Sequence, residues 1–142
     1  MIEVEHTVEI RRPVEEVFAY LTEVSRLPEW QASAASAELE GELRDGALVR
    51  EVRTFMGRRA ASTLEVTEYE PPRRFSLRVV EGPIRYSVEH GLEAREGRTQ
   101  VTFVGRGETH AIPRLMQGTV RRAVERQFVK DLEEFKRILE SD

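Results

Sequence analysis

The 142-residue chain contains no cysteine and no asparagine, and only two of its 22 basic residues are lysines. Without cysteine it has neither a disulfide framework nor a thiol nucleophile. No apolar run approaches the roughly 20 residues of a membrane-spanning helix, so we expect no insertion into a membrane. The net charge of −4 gives no reason to expect a nucleic-acid partner.

The motifs of common catalytic and cofactor sites are missing as well. The three histidines show no metal-binding spacing, and no His-Glu-x-x-His or Gly-x-Ser-x-Gly occurs. Gly105-x-Gly107-x-x-His110 lacks the third glycine of a phosphate-binding loop and follows a late strand of an antiparallel run. We therefore expect no metal and no cofactor.

The length of the chain corresponds to one compact domain over residues 1–142, without repeats or linkers. Charged residues occur within the first six positions, at Glu3 and Glu5, so we expect no signal peptide and a cytoplasmic location. A monomer and a homodimer both remain open, because the edge strands of an antiparallel sheet are able to pair.

Most of the chain alternates between apolar and polar residues, which is the period-two pattern of strands with one buried face. The segments with this pattern are about 4–10, 34–40, 47–56, 60–69, 75–79, 86–92 and 101–104. Glycine and proline turns separate them, and the last strand is expected to fade through Gly105 and Gly107. In the strand 47–56 apolar residues fall on both faces, so the sequence does not show which face points inward. The direction of the Glu51 and Arg53 side chains is therefore not assigned.

Helical spacing occurs in three places. Residues 13–21 form a short helix with Pro13 in its first turn. A second short helix follows, capped by Thr22 and ending near Trp30. Residues 113–140 have apolar positions three, four or seven apart and predict one long amphipathic helix.

Several stretches resemble the START-related, Bet v 1-like (SRPBCC) superfamily, and within it the polyketide cyclase/dehydrase-type proteins. They are Val8-x-Ile10-x-x-Pro13-x-Glu15-x-Val17-Phe18, Leu27-Pro28-x-Trp30, Glu65-Val66-Thr67-Glu68-Tyr69-Glu70-Pro71-Pro72-Arg73, Gly97-x-Thr99-x-Val101-Thr102 and the terminal helix. The resemblance implies an α+β helix-grip fold. In this fold a curved seven-stranded antiparallel sheet, with two short helices after strand 1, wraps around a long C-terminal helix and leaves a cavity between sheet and helix.

By this resemblance, seven residues are expected to bind a ligand in the cavity. They are Trp30, Tyr86, Val88, His90, Phe103, Met116 and Val120. The mouth is expected at the Gly57 hairpin, the Gly82-Pro83 turn and the connection 105–113. Several of these candidate residues also have an interpretation that needs no ligand. Met116 and Val120 would belong to the ordinary core, and Trp30 would anchor the second helix to the sheet. Tyr86 would point its ring inward and its hydroxyl into water.

His6 and His90 are the polar members of otherwise apolar strand faces. A buried neutral imidazole needs hydrogen-bond partners, and a structural role is the simpler explanation, above all for His6. The alternative is that His90, with Tyr86, orients a ligand or acts as general acid or base in an aldol-type cyclisation or dehydration.

Three functions are compatible with the sequence. The first is binding of a small hydrophobic or amphipathic molecule, such as a lipid or polyketide, and it is the leading hypothesis. The second is a cyclase or dehydratase that uses His90 and Tyr86. The third is an interaction or quinone-chaperone role, which predicts a filled cavity and an exposed apolar patch. Known members of the superfamily include all three kinds.

Overall fold

The computed structural model describes residues 1–55 and 57–141, with the side chain of Phe55 excepted. The strands are β1 Ile2–Ile10, β2 Ala34–Glu40, β3 Leu48–Phe55, β4 Arg58–Glu70, β5 Arg74–Glu81, β6 Tyr86–Arg95 and β7 Arg98–Gly107. The helices are α1 Val14–Thr22, α2 Leu27–Trp30 and α3 Gln117–Glu140, and single 3-10 turns at Val24–Arg26 and Arg114–Met116 precede α2 and α3.

The seven strands form one antiparallel sheet in the order β1-β7-β6-β5-β4-β3-β2. Strands β1 and β2 follow each other in the chain but lie at opposite edges, so α1 and α2 must span the concave face between them. Irregularities in the pairing of β2 with β3 and of β4 with β5 increase the local twist and bend the sheet. The helix-grip architecture predicted from the sequence is confirmed.

Helix α3 packs against the concave face mainly through its C-terminal half. Leu132 and Phe135 are its buried residues, and Phe135 contacts Trp30 with ring centroids 4.7 Å apart. The N-terminal half of α3 is more exposed. Sheet and helix therefore separate towards one end of the molecule, which leaves room for the cavity described below.

Some local predictions were wrong. Strand β7 does not fade but pairs through to Gly107. Gly105 lies within the strand, where an added Cβ would stand 3.2 Å from the ring of Phe128, so the glycine allows α3 to approach. Thr22 does not cap α2; it is the last residue of α1, and its hydroxyl donates to the carbonyl of Phe18.

The unassigned strand face is resolved within β3. Val49 and Glu51 are 2% and 4% exposed, whereas Leu48 is 37% exposed. The inward positions are therefore Val49, Glu51 and Arg53. The predicted end of the strand at Met56 lies outside the described residues.

Candidate functional site

A cavity of about 670 Å³ lies between the concave face of the sheet and the N-terminal half of α3. Its volume is within the range of about 300–1,000 Å³ typical of ligand pockets. Exposed lining residues, among them Pro83, Glu108 and Ala123, mark its opening between α3 and the turns at that end of the sheet. The predicted position of the mouth agrees with this geometry.

Most of the cavity wall is apolar. The apolar lining residues include Val4, Leu21, Trp30, Val49, Leu64, Leu77, Val88, Phe103, Val120, Val124, Phe128 and Leu132. They come from the strands and from α1, α2 and α3, so the wall exists only in the folded chain. An apolar molecule that enters it leaves water, at a gain of about 25 cal/mol for each Å² of apolar surface removed from solvent.

His90 is a buried polar group in this wall. Its side chain is 3% exposed and lies on β6, where the alternation of the strand turns it inward. The imidazole ring stacks on the ring of Phe75, with the centroids 5.7 Å apart, and contacts the ring of Phe103 edge-on, with the centroids 5.0 Å apart. Its Nδ1 lies 2.7 Å from the carbonyl oxygen of Phe75.

The partner of Nδ1 determines the chemistry of the ring. A carbonyl oxygen only accepts, so Nδ1 carries the proton and donates it, and Nε2 keeps a lone pair. Desolvation lowers the pKa of His90 to about 4, although the hydrogen bond to Phe75 acts in the opposite direction. The imidazole is thus neutral at physiological pH and offers an acceptor in the cavity wall.

His90 makes stability depend on pH. The unfolded chain binds its proton near pH 6.5 and the folded chain only near pH 4, so stability falls as the pH drops through this window. We expect the free energy of unfolding to decrease by about 2 kcal/mol between pH 7.5 and pH 5 through His90 alone. Urea unfolding at several pH values checks this, with His90→Gln as control. Identical pH profiles of the two proteins would contradict the assignment.

Tyr86 brings a second polar group to the cavity. Its hydroxyl is buried and has no hydrogen-bond partner among the described residues, which contradicts the expectation that it reaches water. A buried hydroxyl without a partner costs free energy. The guanidinium of Arg53 lies over the Tyr86 ring, 5.8 Å from its centroid. Tyr86 thus lines the cavity, and the hydrogen-bonding capacity of its hydroxyl is unused within the described residues.

A polar cluster around Arg53 forms one side of the cavity. Its Nε and Nη2 donate to the two carboxylate oxygens of Glu51 at 2.9 and 3.1 Å. Its Nη1 donates to Ser33 at 2.8 Å, and its Nη2 also donates to Gln31 at 2.7 Å. All four residues line the cavity. The bidentate pair neutralises a carboxylate that is almost fully buried.

Asp131 of α3 extends the polar side of the cavity. Its carboxylate accepts hydrogen bonds from Gln127 at 2.8 Å and from the backbone N–H of Ala32 at 3.2 Å. Burial raises its pKa, against the opposing effects of these two hydrogen bonds and of the Arg53 charge. The hydrogen bond to Ala32 ties α3 to the segment that follows α2.

The structure brings together most of the predicted site residues. Trp30, Tyr86, Val88, His90, Phe103 and Val120 line the cavity. Trp30 also anchors α2, as expected, through edge contacts with Phe103 and Phe135. Met116 is a correction: it lies in the turn before α3, is 48% exposed and is not a lining residue.

Other placements differ from the predicted ones. His6 is half-buried and does not line the cavity. Phe128, which is not among the predicted site residues, lines the cavity and contacts Phe103. The sequence reasoning missed the cluster of Gln31, Ser33 and Asp131 altogether. A usable signal was the α3 stripe at 120, 124, 127 and 131, where Gln127 and Asp131 continue an otherwise apolar face.

The sheet, the gripping helix and the cavity between them define a protein of the START-like, helix-grip class. The chain belongs to the family described as polyketide cyclase / dehydrase and lipid transport, which it matches over residues 1–140. No curated protein matches it.

Solved structures share the fold over nearly the whole chain. A protein from Thermus thermophilus is 20% identical, with a TM-score of 0.81 and coverage of 95% of this chain and 94% of that chain. A START superfamily protein from Mycobacterium smegmatis is 14% identical, with a TM-score of 0.79 and coverage of 98% and 99%. The ZhuI aromatase/cyclase from Streptomyces sp. R1128 is 22% identical, with a TM-score of 0.80 and coverage of 97% and 93%. These identities establish a common fold.

Of the helices in the described part of the chain, none combines the length and apolarity required to cross a bilayer. Within residues 1–55 and 57–141 there is also no group of three or more histidine, aspartate or glutamate side chains placed to hold a metal ion.

Proposed function

We propose that the protein binds a small amphipathic molecule in the cavity between its sheet and α3. The observation that carries this proposal is the apolar-walled cavity of about 670 Å³, which Tyr86 and His90 line with one polar side chain each. An apolar cavity with a few convergent polar groups is the usual form of a ligand site. Family membership is consistent with this function.

The polar groups indicate the chemistry of the ligand. Tyr86 is able to donate or accept a hydrogen bond, and the Nε2 of His90 accepts one. The Arg53 charge is already neutralised by Glu51, so the cavity favours an uncharged molecule over a strong acid. A fused-ring or chain-like compound with hydroxyl or carbonyl groups, as in polyketides and lipids, meets these requirements.

Native mass spectrometry of protein from its native source, followed by denaturing extraction, tests the proposal. We expect one small molecule per chain, released on unfolding, with an apolar body and at least one hydroxyl or carbonyl. Protein that arrives without a ligand is then exposed to an organic extract of the same cells. If a folded sample captures nothing from that extract, the proposal is wrong.

A second candidate is a cyclase or dehydratase, and the lone pair of His90 Nε2 in the cavity wall favours it. That nitrogen would take a proton from a carbon between two carbonyl groups, and Tyr86 would donate a hydrogen bond to the developing enolate oxygen. The pKa of His90, near 4, makes its imidazole a weak base at neutral pH. Binding without chemistry is therefore the first proposal.

The enzymatic candidate has its own test. With a linear poly-β-ketone thioester as substrate, cyclisation is expected to be lost in His90→Ala and to be independent of pH from about 5 to 8, because the imidazole stays neutral throughout. A rate that His90→Ala retains would exclude this role. The interaction role predicted a filled cavity, and the open volume of about 670 Å³ argues against it.

A further inference from the structure

Six arginines that have no carboxylate partner among the described residues surround the opening of the cavity. They are Arg58, Arg59, Arg85, Arg114, Arg121 and Arg122, called the mouth arginines below. Each is exposed and lies within two residues of a residue that lines the cavity. None has a carboxylate within 4 Å in the described part of the chain.

Most arginines on the rest of the surface have a carboxylate partner. Ion pairs join Arg11 to Glu140, Arg26 to Glu29, Arg50 to Glu40, Arg74 to Glu68, Arg78 to Glu65, Arg98 to Glu9 and Arg106 to Glu3. The chain carries a net charge of −4. Six of the nine arginines without a carboxylate partner among the described residues are the mouth arginines, and the other three are Arg44, Arg73 and Arg126. This asymmetry points to a negatively charged surface as the partner of that end.

The start of α3 strengthens the same field. A helix N-terminus carries partial positive charge and is normally flanked by acidic residues. The first turn of α3 has none, and the first carboxylate in the helix is Glu125. Arg114, Arg121 and Arg122 instead add cations there, against the local preference of the helix. An external anionic surface would compensate for this repulsion.

An apolar tip lies among these arginines. Leu115 is 96% exposed and Met116 is 48% exposed, and both belong to the 3-10 turn that opens α3. Together with the mouth arginines they give an exposed apolar residue flanked by cations, which is the pattern of proteins that lie on anionic membranes.

We propose that this end of the protein docks on an anionic lipid surface, with Leu115 inserted and the mouth arginines over the headgroups. A bilayer accommodates a protruding leucine without a shaped pocket, which an acidic protein partner would have to provide. The arginines also come from three separate chain segments, as a broad planar contact requires. The inference deepens the proposed function, because the cavity would then open towards the lipid phase that holds apolar ligands.

Vesicle sedimentation with ligand-free protein tests the inference. One set of vesicles, which is anionic, contains phosphatidylglycerol and phosphatidylcholine, and the other set contains phosphatidylcholine alone. We expect binding to the anionic vesicles only, weakened by salt. Arg121→Glu/Arg122→Glu and Leu115→Ser are each expected to lower the partition coefficient at least about tenfold. The matched control Arg44→Glu/Arg73→Glu makes the same charge change with exposed arginines at the other end of the sheet, and is expected to bind like the wild type.

Three outcomes would overturn the inference. The first is that the wild type does not bind anionic vesicles. The second is that the Arg44→Glu/Arg73→Glu control loses as much vesicle binding as Arg121→Glu/Arg122→Glu. The third is that Leu115→Ser binds vesicles fully and that the protein binds polyglutamate as tightly as it binds the vesicles. The last would identify an acidic protein as the partner. A Val88→Trp protein, whose cavity is obstructed, is expected to bind vesicles normally, so failure of the docking surface and failure of the cavity are distinguishable.

Discussion

Replacing Arg53 with methionine is expected to lower the free energy of unfolding by about 3–5 kcal/mol. Glu51 is 4% exposed and holds its charge in the cavity wall against the guanidinium. Without Arg53 this carboxylate has no counter-charge, and Gln31 and Ser33 lose a donor. Urea unfolding followed by the fluorescence of Trp30, the single tryptophan, measures the change.

Two variants control for this result. The double variant Glu51→Leu/Arg53→Met removes both charges together and is expected to recover most of the lost stability, because an apolar pair of similar volume replaces the ion pair. Arg78→Met breaks an ion pair of which the arginine is 60% exposed, and is expected to cost less than about 1 kcal/mol. A double variant no more stable than Arg53→Met would show that the loss does not come from the unpaired carboxylate.

Replacing Phe103 with alanine is the second large effect, expected to cost about 3–5 kcal/mol. Its ring is 1% exposed. It contacts His90 at 5.0 Å, Phe135 at 5.6 Å and Trp30 at 6.1 Å between ring centroids. The ring thus joins the sheet, α2 and α3 at the floor of the cavity, and truncation removes apolar contacts from all three.

Phe103→Leu is the matched control, since it retains most of the apolar volume and is expected to cost clearly less than alanine. Thermal unfolding of both variants at one pH separates them. Equal losses in the two variants would mean that ring geometry, rather than buried volume, determines the contribution of this position.

Much of the architecture was predictable because alternation and helical spacing are local signals. Strand β6 shows this well: the positions of Tyr86, Val88 and His90 follow from period two alone, and all three side chains line the cavity. The bounds of β1, β2 and α1 were also placed to within about two residues. The closure of seven strands into one curved sheet around α3 came from family resemblance, since no local pattern encodes which strands pair.

The polar side of the cavity was not predictable, for two physical reasons. In β3 the inward face carries the charged residues Glu51 and Arg53, which form a buried ion pair. Because both are polar, the alternation of apolar and polar residues did not show which face of β3 points inward. Gln31, Ser33 and Asp131 lie in segments about 100 residues apart, joined by contacts such as the Ala32 to Asp131 hydrogen bond. The Met116 error has a simpler cause: its apolar character suggested burial, but it precedes the helix in an exposed turn.

Saturation binding of lipids, fused-ring polyketides and flavonoids to the wild type, Val88→Trp and Val104→Trp tests the central claim most directly. Val88 lines the cavity, whereas Val104 is on the opposite face of the sheet. We expect saturable one-to-one binding of at least one class to the wild type and to Val104→Trp, and a loss of at least about a hundredfold in Val88→Trp, whose indole obstructs the cavity. No saturable binding to the folded wild type, or equal binding to both variants, would contradict a ligand site between sheet and helix.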